Sequence, residues 1–256
     1  MSKFQFSVCP HDTAKNSTGW FFLNTYLQRR LDCGIHFEPK DNFIQERADV
    51  LNGGYNLVYA NPFSAVVFCK QLGFLPVAKP VGICDETVLV RGAEASLPTD
   101  RPIKIASATD KLIIHGLGLS LLEEQGIALE NCEFEFVGTH VKAAHAVIQG
   151  KADLGFVFNE TWNGMAQSSR QALVAISQTD SKQACHSFCI SADWADKREQ
   201  LQSILCGMVD DPKGRQILED IQFSAGFQPI DASDLDAALT IMSATPASAG
   251  MLTKLL

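Results

Sequence analysis

The chain writes one phrase twice, and this repetition constrains its fold more than any other feature. Val50 to Asn61 reads "VLNGGYNLVYAN" and Val147 to Phe158 reads "VIQGKADLGFVF". In each, an apolar run of helical character stops at a glycine, Gly53 or Gly150. An Asn or Asp (Asn56, Asp153) then leads into a short apolar run carrying an aromatic, Tyr59 or Phe156. Glycine just past a helix end adopts positive φ without a Cβ penalty, and the run after it is too short and too aromatic to be another helix. Each phrase is therefore half of a βαβ unit. A solenoid needs several repeats at a fixed period; one recurrence suits two similar α/β lobes.

The rest of the chain follows the same alternation. "KFQFSV" predicts a strand, "CPHDTAKNST" a loop rich in turn and cap residues, and "GWFFLNTYLQRRL" a helix ending near Gly34. Strand "GIHFEPK", a helix over 41–51, strand "YNLVYANPF" and helix "SAVVFCKQLG" complete a first series. "PVGICDETVLVRG" is a long extended run, followed by the polar linker "AEASLPTDRP". A second series runs "IKIAS", "LIIHGLGLSLLEEQG", "CEFEFVG", "VKAAHAVIQG" and "ADLGFVF", with further strands "ALVAISQT" and "HSFCISAD" and a mostly helical tail from Trp194 broken at Pro212. Alternating strands and helices imply largely parallel sheets.

Composition narrows the function classes. With 46% apolar and 20% charged residues, the chain is a well-packed globular protein without low-complexity tracts. Its net charge of −8 speaks against a nucleic-acid partner but not against a small anion at a locally positive site. No stretch reaches the roughly 18 uncharged apolar residues of a membrane helix. "MSKFQFSVCP" enters a strand directly, with no basic or apolar leader. On this reading the chain is cytoplasmic if Met1 is the native start, and periplasmic if a signal peptide has been removed. The eight cysteines show no CxxC spacing. "CHSFC" lacks a second Cys or His pair at zinc-site spacing, and a strand would send Cys185 and Cys189 to one face and His186 to the other. They read as free structural thiols of a reducing compartment, with no metal and no cofactor.

In open parallel sheets, ligands gather beyond the carboxyl ends of strands. The segments leaving strands here are "PHDT" (Pro10 to Thr13), "YANPFS" (Tyr59 to Ser64), "SATDK" (Ser107 to Lys111), "GTH" (Gly138 to His140) and "NETW" (Asn159 to Trp162). Two of them, "SATDK" and "GTHVK", precede helices, whose free N–H groups favour an anion. His140 at a helix head is a candidate oxyanion donor. His115 sits in an apolar helix and reads as a packing residue, His145 as solvated, and "GLG" at Gly116 to Gly118 as a close-packing contact. No GxSxG, GxxxxGK[ST], HExxH or strand-following GxGxxG is present, so catalysis lacks a constellation.

The order "ADVLNGGYNLVYANPFS", "FVGTHVKAAHAVIQGKADLGFVFNETW" and "DDPKGRQILEDIQFSAGFQPIDASDLD" resembles the phosphonate/phosphite-binding (PhnD-like) family of ABC-transporter solute receptors. The resemblance implies an α/β, two-lobed, type II periplasmic-binding-protein-like fold, each lobe a mixed, mostly parallel sheet flanked by helices, with a ligand cleft between the lobes. It places lobe 1 at 1–85 plus 188–256, lobe 2 at 86–187, and crossing strands near 84–90 and 185–191. His11 then falls where the family often carries an aromatic, Asn61 and Pro62 match a G-P strand exit, and Thr139 with His140 match a G-[ST]-H turn that contacts the oxyanion. The family's S-T-S run at the head of the second lobe's first helix is replaced by Lys111, Leu112 and Ile113, and Asp110 adds a negative charge beside it; Ala65 stands where an aromatic commonly follows the P-F-S exit. This implies an altered anion site.

These readings combine into a non-enzymatic solute-binding protein that closes its lobes on a phosphonate-like or other polar, anionic metabolite. Lys111 and His140 are its charge-assisted donors; His11, Tyr59, Asn61 and Asn159 orient the ligand, and Ser64, Asp110, Thr139 and Glu160 complete the ligand-binding set. Its protein partner is an ABC-transporter permease or a signalling protein. The alternatives are a cytoplasmic ligand-sensing or partner-binding module and a cofactor-biosynthesis enzyme on the same fold, for which His140 or Glu160 would be the general acid/base.

Overall fold

The computed structural model of the protein describes residues 4–230 and 232–243; the parts of the expected lobe 1 at 1–3, 231 and 244–256 lie outside the described residues. The chain divides into two compact units. Unit 1 takes in the described residues up to Cys84 and again from Cys185 to Ala237, and unit 2 those from Asp85 to Ala184 and from Ala238 onward. The final helix thus ends in unit 2, whereas the sequence reading assigned the whole C-terminus to lobe 1.

Unit 1 runs β1 (Phe4–Val8), α1 (Pro10–Leu31), β2 (Ile35–Phe37), α2 (Phe43–Leu51), β3 (Leu57–Ala60), α3 (Pro62–Leu72) and β4 (Leu75–Pro80). Unit 2 follows with β5 (Thr87–Gly92), β6 (Ile103–Ser107), α4 (Ile113–Glu124), β7 (Cys132–Phe136), α5 (His140–Ile148), β8 (Leu154–Phe158), α6 (Asn159–Gly164), α7 (Gln167–Gln171) and β9 (Leu173–Gln178). The return adds β10 (Ser187–Ile190), α8 (Arg198–Cys206), α9 (Pro212–Asp220), β11 (Phe227–Pro229) and α10 (Ala232–Ser243). Unit 1's sheet has the order β11-β4-β10-β3-β1-β2 and unit 2's the order β7-β6-β8-β5-β9. In the first, β2, β1, β3 and β4 share a direction that β10 and β11 oppose. In the second, β5 alone opposes the other four. The opposed strands β5 and β10 are those that enter each unit from the other.

The repeated phrase has the local structure its glycines require. α2 and α5 each end shortly before a left-handed glycine, Gly53 at φ +96° and Gly150 at φ +67°, where any Cβ would be strained. The strands that follow, β3 and β8, are buried along their whole length. Trp20, Phe6, Tyr59 and Phe188 centre the core of unit 1; Val88, Ala106, Val147 and Val157 lie in that of unit 2.

Two sequence expectations are corrected here. "CPHDTAKNST" is helix rather than loop: α1 begins at Pro10 with Cys9 as its cap, a position where proline loses no hydrogen bond. The polar run shows instead as a kink at Asn16 (φ −158°, ψ 84°). Its Nδ2 donates to the Asp220 carbonyl at 2.8 Å and its Oδ1 accepts from the Gly19 N–H at 3.1 Å. The cysteines are not all free either. Cys84 and Cys185, separated by 101 positions, form a disulfide with Cα atoms 4.2 Å apart, and the remaining six are thiols. Spacing along the chain cannot reveal a pairing made by two adjacent crossing segments, which also meet through the Asp85 N–H and the Ala184 carbonyl at 2.6 Å.

Candidate functional site

In unit 2, β6 lies between β7 and β8, and all three run the same way, so their exits emerge at one end of the sheet. The segments after them hold six of the predicted residues: Asp110 and Lys111 after β6, Thr139 and His140 after β7, Asn159 and Glu160 after β8. Backbone bonds lock the first two exits side by side, with Val137 N–H donating to the Ser107 carbonyl and Gly138 N–H to the Ala108 carbonyl, both at 2.9 Å.

The two helix starts differ. Thr139 caps α5, its side chain accepting from the Lys142 N–H at 3.2 Å, an arrangement worth about 1 kcal/mol. α4 is capped by Leu112, which has no side-chain acceptor; the His115 N–H turns back to the Leu112 carbonyl at 3.2 Å, and the Ile113 and Ile114 N–H groups at the head of this twelve-residue helix have no side-chain cap. Asp110 and Lys111 precede that cap rather than forming the first turn. Thr109 organises them, its hydroxyl donating to Asp110 Oδ1 at 3.3 Å and accepting from the Lys111 N–H at 3.2 Å. Lys111 is exposed; Asp110, His140, Asn159 and Glu160 are half-buried. The His140 ring lies 5.7 Å from that of Phe158. Asn159 exchanges two bonds with Glu86, its N–H donating to the Glu86 carbonyl at 2.9 Å and its Oδ1 accepting from the Glu86 N–H at 3.2 Å. His115 is buried among Phe134, Phe136 and Phe156, and burial pushes its imidazole down to about 4, a neutral packing group. His145 is exposed.

In unit 1 the predicted residues lie in β3 (Tyr59) or follow β1 and β3, which pair in parallel with Val8 opposite Tyr59. His11 is half-buried in the first turn of α1. Tyr59 is wholly buried, its ring 4.9 Å from Trp20 and 5.6 Å from His186. Asn61 caps α3 by accepting from the Ser64 N–H at 3.0 Å, and the Ser64 hydroxyl accepts from Arg47 Nε at 2.9 Å.

Around them stands a charged cluster that the sequence reading did not single out. Asp12 Oδ2 lies 2.9 Å from His186 Nδ1, and Lys15 Nζ is 3.4 Å from Asp12 Oδ1. Burial raises the Asp12 carboxyl, but His186, by charge and contact, and Lys15 outweigh it and hold Asp12 down at about 2. Burial pushes the neighbouring Cys9 thiol up to about 12. Glu46, with no exposed surface, accepts from the Ser7 hydroxyl at 3.0 Å and is raised by burial to about 7. Arg47 stacks over Phe63 at 4.4 Å. The one available sign was a charged pair, Glu46 and Arg47, within the helix expected over 41–51; the closeness of His186 to Asp12 depends on strand pairing.

Two mixed sheets flanked by helices, with an opposed strand in each where the chain enters that unit from the other, are the build of a type II periplasmic-binding protein. XAC2383 from Xanthomonas citri, solved bound to chloride ion, superposes with a TM-score of 0.76 at 16% identity over 100% of this chain and 99% of its own. PhnD1 from Prochlorococcus marinus, in complex with methylphosphonate, gives 0.73 at 14% identity, covering 93% of this chain and 96% of its own. The periplasmic aliphatic sulphonate-binding protein SsuA from Escherichia coli gives 0.65 at 13% identity, covering 94% and 85%. No curated protein matches the chain. The family model for the ABC transporter, phosphonate, periplasmic substrate-binding protein matches residues 6–235. The chain belongs to this family, whose members are solute-binding proteins rather than enzymes. Among the described residues, no helix is long and apolar enough to cross a membrane.

Proposed function

We propose that this chain is the solute receptor of an ABC importer, and that its solute is an organic anion with a phosphonate-, sulfonate- or phosphate-type head held in unit 2. The observation that carries this reading is the start of α4, where Leu112 leaves the N–H groups without a side-chain cap beside the capped start of α5. The uncapped Ile113 and Ile114 N–H groups and the helix dipole favour an oxyanion there. Lys111 and His140 add charge-assisted donors, and Thr139 and Asn159 set the local geometry. Lys111, Leu112 and Ile113 supply one ammonium where the family resemblance places three hydroxyls, which favours a different anion from the relatives' own. Asp110 disfavours a second negative charge, so a monoanionic head fits better than a phosphate dianion. The partner in this reading is the importer's permease, and the Cys84–Cys185 disulfide fits an oxidising compartment such as the periplasm.

The test is isothermal titration calorimetry with methylphosphonate, phosphate, an alkanesulfonate and acetate, on the wild type and Lys111→Ala. A desolvated ammonium–oxyanion contact is worth about 1.5 to 3 kcal/mol. The variant therefore weakens binding of the best oxyanion roughly tenfold or more, while unfolding changes by less than about 0.5 kcal/mol. Failure of every oxyanion to bind, or a preference for phosphate above all others, contradicts the proposal; unchanged affinity in Lys111→Ala removes Lys111 from it.

A further inference from the structure

The polar cluster of unit 1 has donors that the solute-binding reading does not use. Cys9, Asp12 and His186 each offer one ligand atom, and these three atoms lie within 4.8 Å of one another. The residues are 3%, 5% and 9% exposed. They come from the end of β1, the first turn of α1 and the residue before β10. The Cys9 carbonyl accepts from the Asp12 and Thr13 N–H groups, fixing Cys9 and Asp12 on one turn, while Ser187 opposite Ala60 brings His186 to the same end of the sheet's central strands.

We propose that Cys9, Asp12 and His186 form a binding site for a thiophilic divalent d-block cation, of which Zn²⁺ is the representative. Mixed sulfur, nitrogen and oxygen donors suit zinc, which takes them at about 2.0 to 2.3 Å in a tetrahedron. Such bonds place donor atoms about 3.3 to 3.8 Å apart, so the 2.9 Å contact between Asp12 and His186 opens by about half an ångström as the cation enters. The cation displaces the Cys9 thiol proton to solvent. A thiolate, a carboxylate and a neutral imidazole then balance its two charges, leaving no net charge in a buried place. The surroundings favour a thiolate–cation pair. Asn61 Nδ2 points an N–H at Cys9 Sγ from 4.0 Å, a typical support for a metal-bound sulfur. Glu46 Oε2 is buried without a hydrogen-bond partner among the described residues; a negative charge there opposes a bare thiolate at Cys9 and favours a cation beside it. Three protein donors leave the fourth position to a non-protein ligand. All three donors belong to unit 1, and the proposal does not depend on the reading of the oxyanion site in unit 2.

The experiment is a Co²⁺ titration of the full chain with its disulfide intact and no added thiol, followed by Zn²⁺ competition. The expected result is a thiolate-to-cobalt charge-transfer band with tetrahedral d–d absorption, bleached by Zn²⁺, absent in Cys9→Ser and retained in Cys33→Ser. His186→Gln weakens Co²⁺ binding at least tenfold. Absence of the band in the wild type overturns the proposal, as does its survival in Cys9→Ser, since it would then arise from another thiol. Should circular dichroism show Cys9→Ser unfolded, Asp12→Asn keeps the thiol and serves instead: a tenfold loss of Co²⁺ affinity supports the site, and an unchanged affinity overturns it.

Discussion

Adding one methyl group to α4 tests the packing of unit 2. A Cβ built on Gly118 meets three ring carbons of Phe156 at 2.5 to 2.6 Å, about 1 Å inside ordinary carbon contact. The ring cannot easily yield, because Phe156 is fully buried and packs 5.7 Å from His115 and 6.1 Å from Phe134. Overpacking of this kind costs about 1 to 3 kcal/mol, and replacing a mid-helix glycine with alanine returns about 1 kcal/mol of helix propensity. Three contacts this short place the cost in the upper part of that range, about 2 to 3 kcal/mol, so Gly118→Ala is expected to destabilise unit 2 by about 1 to 2 kcal/mol net. Gly116 provides the internal control, since its Cβ would meet Ile241 Cγ2 at 3.2 Å and the Ile241 carbonyl at 3.3 Å, contacts relieved by a few tenths of an ångström. There the propensity gain offsets the contact, and Gly116→Ala is expected to be neutral within about 0.5 kcal/mol. The assay is equilibrium urea unfolding followed by Trp162, the tryptophan of unit 2, with Phe156→Leu added to Gly118→Ala to recover part of the loss. Gly118→Ala as stable as wild type, or Gly116→Ala costing as much as Gly118→Ala, refutes the argument that α4 rests on Phe156.

Three further outcomes follow from the structure. Glu46 is raised by burial from 4.5 to about 7, against the opposing effects of Ser7, Arg47 and His186 and with a small push from Asp49. Its contribution to stability, about 3 kcal/mol at 1.36 kcal/mol per pH unit, is fully present below pH 4.5 and lost as the pH rises to about 7. Urea unfolding across that window should show this slope in the wild type and its loss in Glu46→Gln; an equal slope in the variant sinks the assignment. The Cys84–Cys185 disulfide closes a span of 101 positions, so the paired Cys84→Ser/Cys185→Ser variant should lose about 2 to 4 kcal/mol; alkylation of the unfolded, unreduced wild type should block six thiols, and eight blocked thiols would contradict the bond. Asn61 caps α3 through Ser64, so Asn61→Ala should cost about 1 kcal/mol; a thermal midpoint equal to wild type would show that the cap contributes nothing.

The glycine punctuation at Gly53 and Gly150 was readable because a left-handed residue after a helix is a local requirement, satisfied without reference to the rest of the chain. The same holds for the strand exits; that Thr139 and Asn61 serve there as helix caps is a finding of the structure. The "GLG" of α4 was legible only as a close contact: which glycine bears it depends on Phe156 and Ile241, which come from other elements. The start of α1 was misread because its polar residues imitate a loop. The kink at Asn16 is held by the Asp220 carbonyl, which is remote in sequence.

By itself, the sequence determined the alternation of strands and helices, the pairing of like α/β units and the family to which the chain belongs, because each rests on local periodicity, on turn chemistry or on motifs in a fixed order. The tertiary structure alone decided that Cys84 bonds to Cys185 and that His186 meets Asp12 beside Cys9. It also showed that Leu112, rather than a hydroxyl residue, caps the helix proposed to receive the anion. These depend on which strands pair and in what register. A one-residue slip of β10 against β3 would turn its side chains to the other face, and nothing in the neighbouring residues specifies that register.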